Sequence, residues 1–230
     1  MNKMILYHGS INIIDKPIFG KGKAYNDYGL GLYLTEELEL AKEWAVDEYS
    51  DGYANEYELD LNNIKIMDLS KDYNTLNWIA ILLKNRSFSI KNDIARLGKE
   101  YLLNNYLPSY EEYDVIIGYR ADDSYFSYAE AFLNNTISLN KLSEALKIGN
   151  LGMQVVLKSQ KAFNQLKFIN YFEAKKEIHY PLRLKRNLNA KDEYSSTKRK
   201  KISSNDIFLN DIMRGALKKW FTLIMIFIYQ

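Results

Sequence analysis

Met4-Ile5-Leu6-Tyr7-His8-Gly9-Ser10 and Gly29-Leu30-Gly31-Leu32-Tyr33-Leu34-Thr35 decide how this chain is read. The first is a short buried strand that Gly9-Ser10 ends. The second is another strand, Leu30 to Leu34. It follows a loop over 15–30 that holds Pro17, Gly20, Gly22 and Gly29 among polar residues. Thr35 then reads as the N-cap of a helix from Glu36 to Asp47, with Leu40, Ala41, Trp44 and Ala45 along one side. A histidine at the end of a buried strand can bond a ribose hydroxyl. Gly9, lacking a side chain, lets its N–H and C=O approach a flat carboxamide, and Ser10 adds a hydroxyl. Tyr33 at a strand end and Trp44 on the next helix can sandwich a flat heteroaromatic ring. Taken singly, each reads first as a turn or core residue; the combination is what points to a site.

Working outward, residues 55–61 alternate at period two, as do Ile64 and Ile66, and both read as half-buried strands. Residues 74–106 are helical in pattern. A strong buried strand follows at Asp114 to Gly118 and continues through Tyr119-Arg120-Ala121-Asp122-Asp123. Helices are expected over Ser127 to Asn134 and Leu139 to Lys147, then a strand over Met153 to Lys158. Ser159 caps a helix from Gln160 to Leu166, and Lys167 to Phe172 is a last strand. After Pro181 the pattern weakens, and an amphipathic helix begins near Asp206, with Ile207, Phe208, Ile212 and Leu217 on its apolar side. Strands and helices mix without strict alternation. The expected class is therefore α+β, two small sheets with peripheral helices. The expected division is a main domain over 1–180, then a basic linker and C-terminal helix over 181–230.

Composition removes several chemistries. The 230 residues include no cysteine, which excludes disulfides, cysteine-ligated zinc and thiolate nucleophiles and fits a reducing, cytoplasmic setting. Only His8 and His179 are available as imidazole ligands, so no metal is expected. The N-terminal apolar run is too short for a signal peptide, and no stretch reaches the ~20 apolar residues of a membrane span. Trp220 to Tyr229 is the closest approach and reads as a core strand or helix end, with a membrane-touching tail as the other reading. Net charge is +2, but Arg183 to Lys201 holds eight Lys/Arg against two Asp/Glu, so the remainder is mildly acidic. That segment is either a solvated linker or a foothold for a polyanion; Tyr194 is its single aromatic residue.

His8-Gly9-Ser10, Gly29-Leu30-Gly31-Leu32-Tyr33 and Trp44 resemble the ADP-ribosyltransferase superfamily, in its diphtheria-toxin and poly(ADP-ribose) polymerase branch. That branch has a His-Gly-Ser or His-Gly-Thr strand end, a Gly-x-Gly-x-Tyr strand and an aromatic residue on the next helix, usually Tyr where this chain has Trp44. A catalytic Glu opens a late strand. The chain also looks like a bacterial family of uncharacterised proteins assigned to this superfamily. The matching parts are Ile116 to Asp123, a strand ending in Ala-Asp-Asp, and Met153-Gln154-Val155-Val156, a late strand carrying Gln. The resemblance spreads over roughly residues 4–172, and more faintly over Asp206 to Arg214. It implies an ADP-ribosyltransferase-like split pair of small antiparallel sheets with peripheral helices, and NAD⁺ as substrate, with nicotinamide on Gly9 and Ser10, stacked on Tyr33 near Trp44, and His8 orienting the adenosine ribose. Gly31 belongs to the same cofactor-binding strand.

Gln154 stands where the polymerases carry Glu. Gln accepts a hydroxyl hydrogen bond but brings no negative charge to an oxocarbenium-like transition state. Asp122 and Asp123 are the candidates for the missing carboxylate; one is a candidate general base, and the pair otherwise caps the following helix. The implied activity is mono-ADP-ribosyl transfer to a protein or nucleic acid, in an intracellular toxin or phage-defence effector with a cognate antitoxin. Two other functions stay open: a non-enzymatic NAD⁺ or ADP-ribose binding module, and a nucleic-acid-binding protein using 183–201.

Overall fold

A computed structural model of the chain describes residues 2–121, 123–148, 152–199 and 201–215. It is α+β, with two small sheets and eight helices among the described residues. The first sheet has the order β1 (Lys3–Ser10), β3 (Gly52–Asp60), β7 (Leu166–Ala174), all antiparallel. The second has the order β2 (Leu32–Leu34), β6 (Met153–Leu157), β5 (Val115–Tyr119), β4 (Ile66–Asp68). Its β4–β5 pair is parallel, which corrects the expectation of two wholly antiparallel sheets. Parallel neighbours need a crossover. Here the crossover is α2 (Thr75–Asn85) and α3 (Asp93–Tyr106), the long helical stretch whose periodicity gave no hint of what it connects.

The alternation along β1 and β3 turns Leu6, Tyr57 and Leu59 inward. They meet Leu34, Val115, Val155 and Leu157 of the second sheet, forming a core between the sheets. A larger core gathers Trp78, Ile79 and Leu82 of α2 with Phe132 of α4 (Asp123–Leu133) and Leu142 of α5 (Leu139–Ile148) over the outer face of the second sheet. Asn74 begins α2 with a capping box, its side chain accepting from Asn77 N–H while the Asn77 side chain accepts from Asn74 N–H. Ser159 caps α6 (Gln160–Asn164) as expected, accepting from Ala162 N–H at 3.1 Å. The helix after Thr35 is shorter than expected, α1 (Leu38–Ala45), and Glu37 is its N-cap. Thr35 is instead bridged to Tyr7, and its Oγ1 only accepts from Glu37 N–H at 3.2 Å. The strand at Val115 stops at Tyr119, before Ala121-Asp122-Asp123.

The basic stretch differs most from its sequence. Residues 183–199 form part of α7 (Lys176–Arg199), one helix with Pro181 inside it, rather than an irregular linker. Proline at its sixth position removes the N–H that would otherwise reach Glu177 O, one ladder bond near the helix start. Tertiary anchoring supplies what periodicity does not. Arg186 forks onto Glu43 of α1, with Nε to Oε2 at 2.8 Å and Nη2 to Oε1 at 2.9 Å, and Glu43 is only 4% exposed. Lys176 N–H caps onto Asp51 Oδ1 at 2.9 Å, and Arg183 Nη1 donates to Val46 O at 2.7 Å. Arg186→Ala should therefore cost about 3 kcal/mol, the low end for a buried pair because Arg186 is partly exposed, since it leaves the Glu43 carboxylate buried without its fork. Urea unfolding measures this; a change within about 0.5 kcal/mol, the range of an ordinary surface substitution, would show that the pair is not an anchor. After α7, a short helix α8 (Leu209–Met213) starts later than expected, with Phe208 as its N-cap; it buries Ile212, as expected, together with Leu209, while Ile207 and Phe208 precede it. Leu217 and Trp220 to Tyr229 lie outside the described residues.

Candidate functional site

The two sheets touch along β1 and β2 through one bridge. Tyr7 N–H donates to Thr35 O at 2.8 Å, and Thr35 N–H to Tyr7 O at 2.9 Å. Beyond it the strands diverge, and an open cleft of about 1000 Å³ occupies the split. Continuing the register would set Gly9 against Tyr33, and both residues line the cleft. Backbone groups in an antiparallel strand alternate in direction. Tyr7 turns its N–H and C=O away from β3, so Gly9, two residues on, turns its own toward the cleft. A donor and an acceptor of the main chain thus sit side by side at the wall.

His8 closes the split. Its Nδ1 lies 2.8 Å from Tyr33 O. A carbonyl only accepts, so Nδ1 carries the hydrogen and Nε2 is left as an acceptor. Burial holds the imidazole pKa below its ordinary value, against the opposing pull of the Tyr33 carbonyl, so the neutral ring is the favoured form. Tyr33 donates its hydroxyl to Gly29 O at 2.7 Å and accepts from Tyr28 N–H at 3.0 Å. Its ring lines the cleft while its hydroxyl is spent on the loop behind it. Gly29 takes φ +74°, the left-handed conformation that this turn needs. Lys158 also holds the loop, with Nζ donating to Tyr28 O and to Leu30 O; desolvation lowers its pKa to about 8. Further back, the fully buried Asn55 accepts from Ile14 N–H at 2.8 Å and donates to His8 O at 3.2 Å.

Trp44 lines the cleft from α1, and the Arg120 guanidinium lies 4.8 Å over its ring. Its Nε1–H is buried and finds no hydrogen-bond acceptor among the described residues. Gly31 lines the wall with its Cα pressed on β6, where an added Cβ would meet Leu157 O at 2.7 Å. Gln154, 4% exposed, reaches the cleft from the second residue of β6. Ser10 is not part of the wall; its Oγ accepts from Asn12 N–H at 3.2 Å. Asp122 lies outside the described residues. Asp123 opens α4, and its side chain is likewise outside them.

Asp27 and Arg86 form an ion pair in the cleft that no sequence motif marks. Asp27, 5% exposed, accepts from Gln154 Nε2 at 3.0 Å and from Ala121 N–H at 2.9 Å through Oδ2. Its Oδ1 receives Arg86 Nη1 at 2.7 Å. Burial pushes the Asp27 pKa up, and the Ala121 N–H, Gln154 and the arginines pull against it. Its only advance signal was Asn26-Asp27-Tyr28-Gly29, which reads as turn chemistry; Arg86 merely follows the last turn of α2. The charged residues of the remaining wall are cationic: Lys16, Lys21 and Lys23 from the loop on one side, Arg183 and Lys191 from α7 on the other. Arg183, Asn187 and Lys191 recur every four residues, which aligns them on one helix face. Asp27 is the one acidic residue of the wall among the described residues.

No group of three or more His, Asp or Glu among the described residues is arranged to hold a metal ion, and no described helix is long and apolar enough to cross a membrane. No curated protein and no solved structure matches the chain. Residues 4–168, a span that includes His8, Asp27, Tyr33, Trp44 and Gln154 but stops short of α7, match the family described as "Protein of unknown function (DUF3990)", and the chain belongs to that family.

Proposed function

We propose that this protein is an NAD⁺-dependent mono-ADP-ribosyltransferase. One observation carries the proposal: His8, Gly9, Tyr33, Trp44 and Gln154, far apart in sequence, line one cationic cleft at the split between two small sheets. Each offers what a nicotinamide dinucleotide needs. The outward N–H and C=O of Gly9 match the acceptor and donor of a carboxamide. The Tyr33 ring and the Trp44 indole are flat apolar surfaces for a nicotinamide ring. His8 Nε2 accepts from a ribose hydroxyl, and the cationic wall suits a pyrophosphate. In the transfer, the glycosidic C–N bond breaks and its electron pair leaves with nicotinamide. A nucleophile of the acceptor then bonds to the ribose carbon and gives up its proton. The acceptor is a macromolecule, protein or nucleic acid, and the resemblance to toxins of this superfamily extends to a growth-arresting effector neutralised by a cognate antitoxin.

The test is nicotinamide release from NAD⁺ by the purified chain, followed by labelled NAD⁺ in lysate to see whether label lands on protein or nucleic acid. Release, with label transferred, is the expected result. One feature favours a second function: an amide rather than a carboxylate at residue 154. A non-enzymatic NAD⁺ or ADP-ribose binder would show ligand-dependent thermal stabilisation with no nicotinamide released. Neither stabilisation nor release would exclude both.

A further inference from the structure

We propose that Asp27 is the positioning residue of Gln154, fixing its carboxamide so that Oε1, the end that accepts, is left for the cleft. This rests on the transferase function proposed above. The two ends of a glutamine amide are nearly the same size and opposite in hydrogen bonding. Nothing in a strand residue selects between them; a neighbour must. Here the neighbour is a carboxylate, which when ionised only accepts. Its Oδ2 takes Gln154 Nε2 at 3.0 Å, so the reversed amide would set oxygen against oxygen. Both side chains are buried, Gln154 to 4% and Asp27 to 5% exposure, so bulk water is not at hand to relieve a mismatch. Asp27 is itself held by Arg86 at 2.7 Å and by Ala121 N–H at 2.9 Å. Three donors on two oxygens leave it no freedom to turn away.

The arrangement explains an amide where a carboxylate would be expected. Oε1 can accept a ribose hydroxyl as a glutamate oxygen would. A glutamate at this position would meet Asp27 at hydrogen-bond distance, and two like charges so close cannot both persist. Acid and amide therefore form one unit in which the two chemistries are shared between positions 27 and 154.

The unit makes the outcome of exchanging its parts specific. Gln154→Glu, which restores the more common residue of the resembled enzymes, should lower kcat for nicotinamide release by at least roughly tenfold, with recovery at acid pH as one carboxyl takes a proton. Asp27→Asn should lower kcat by a smaller factor, about threefold, because its oxygen can still accept from Gln154 Nε2 and Ala121 N–H only by setting the new amide hydrogens against Arg86, which loosens the hold on the pair. In the double variant Asp27→Asn/Gln154→Glu, the amide introduced at position 27 donates to the carboxylate introduced at position 154. It should return to within about threefold of the wild type, a coupling that independent losses cannot give. Thermal melting of all four proteins separates loss of fold from loss of turnover. A Gln154→Glu variant as active as the wild type, or a double variant no better than the worse single one, would overturn the proposal. If Asp27→Asn does not fold, the activity and acid recovery of Gln154→Glu decide alone. A wild type that releases no nicotinamide sinks the transferase function instead. In that case the side-chain amide resonances of Gln154 still report the contact: they should shift as Asp27 titrates, and resonances that ignore it would refute the pairing.

Discussion

His8→Ala should lower kcat/KM for nicotinamide release by at least about a hundredfold, or about 2.7 kcal/mol, with little change in melting temperature. The magnitude follows from where the ring sits. Nδ1–H is fixed on Tyr33 O at 2.8 Å, so Nε2 is a preset acceptor on the cleft wall. Alanine removes the acceptor and also frees the bridge between the diverging strands. The pH dependence has a definite sign. Burial depresses the His8 pKa below its ordinary 6.5, so the neutral ring and the Nε2 acceptor persist below that pH. kcat/KM should stay level from neutral pH down past 6.5 and fall only on the more acid side. The same shift ties stability to pH: the unfolded chain binds the proton first, so stability is full above 6.5 and declines as pH falls through the folded-state value. His8→Gln should remove that acid-side decline. An alanine variant with wild-type turnover would end the assignment of His8 to the site.

The residues of this prediction were legible in the sequence because strand ends announce themselves. An apolar run closed by His8-Gly9-Ser10 and a Gly-punctuated run closed by Tyr33-Leu34-Thr35 mark two termini, and the fold sets them across one split, although the first strand buries only Leu6 and leaves Ile5 exposed rather than being buried throughout as expected. Asp27 was not legible for a physical reason. An Asn-Asp-Tyr-Gly tetrapeptide satisfies every rule for a turn, and a turn uses its Asp on its own backbone. Here Asp27 instead reaches strand β6 and the end of helix α2, both distant in sequence. The α7 stripe was hidden in the same way. Its apolar periodicity is weak and Pro181 argues for a break; a buried ion pair to Glu43 and contacts to α1 hold it as a helix regardless. Local patterns report local constraints, and these residues are constrained from afar. The parallel β4–β5 pair belongs to the same class, since register between strands separated by two helices leaves no trace in either strand's alternation.

Gly9→Ala should cost roughly 3 kcal/mol, or about 10 °C in Tm, and abolish NAD⁺ binding. The sequence suggests that glycine is needed so that a ligand can come close. The structure supplies a stronger demand from the other direction. An added Cβ would lie 2.2 Å from Ala41 O, 2.8 Å from Ala45 N and 2.9 Å from Trp44 Cβ. Two of those atoms are helix backbone, which cannot yield as a side-chain tip can. Relief requires α1 to move off β1, and α1 carries Trp44 at the cleft and Glu43 in the anchor of α7. One methyl group thus strains the stacking surface and the cationic helix face together, while Gly9's N–H and C=O lose their place opposite Tyr33. Gly20→Ala is the control. Gly20 has a positive φ, +82°, but nothing lies within 4 Å of its added Cβ, so only the backbone cost of about 1 kcal/mol applies. Thermal melting and NAD⁺ titration of the two variants distinguish packing from conformational preference. Equal, small losses in both would mean that α1 gives way easily and that the close approach at Gly9 does not organise the site.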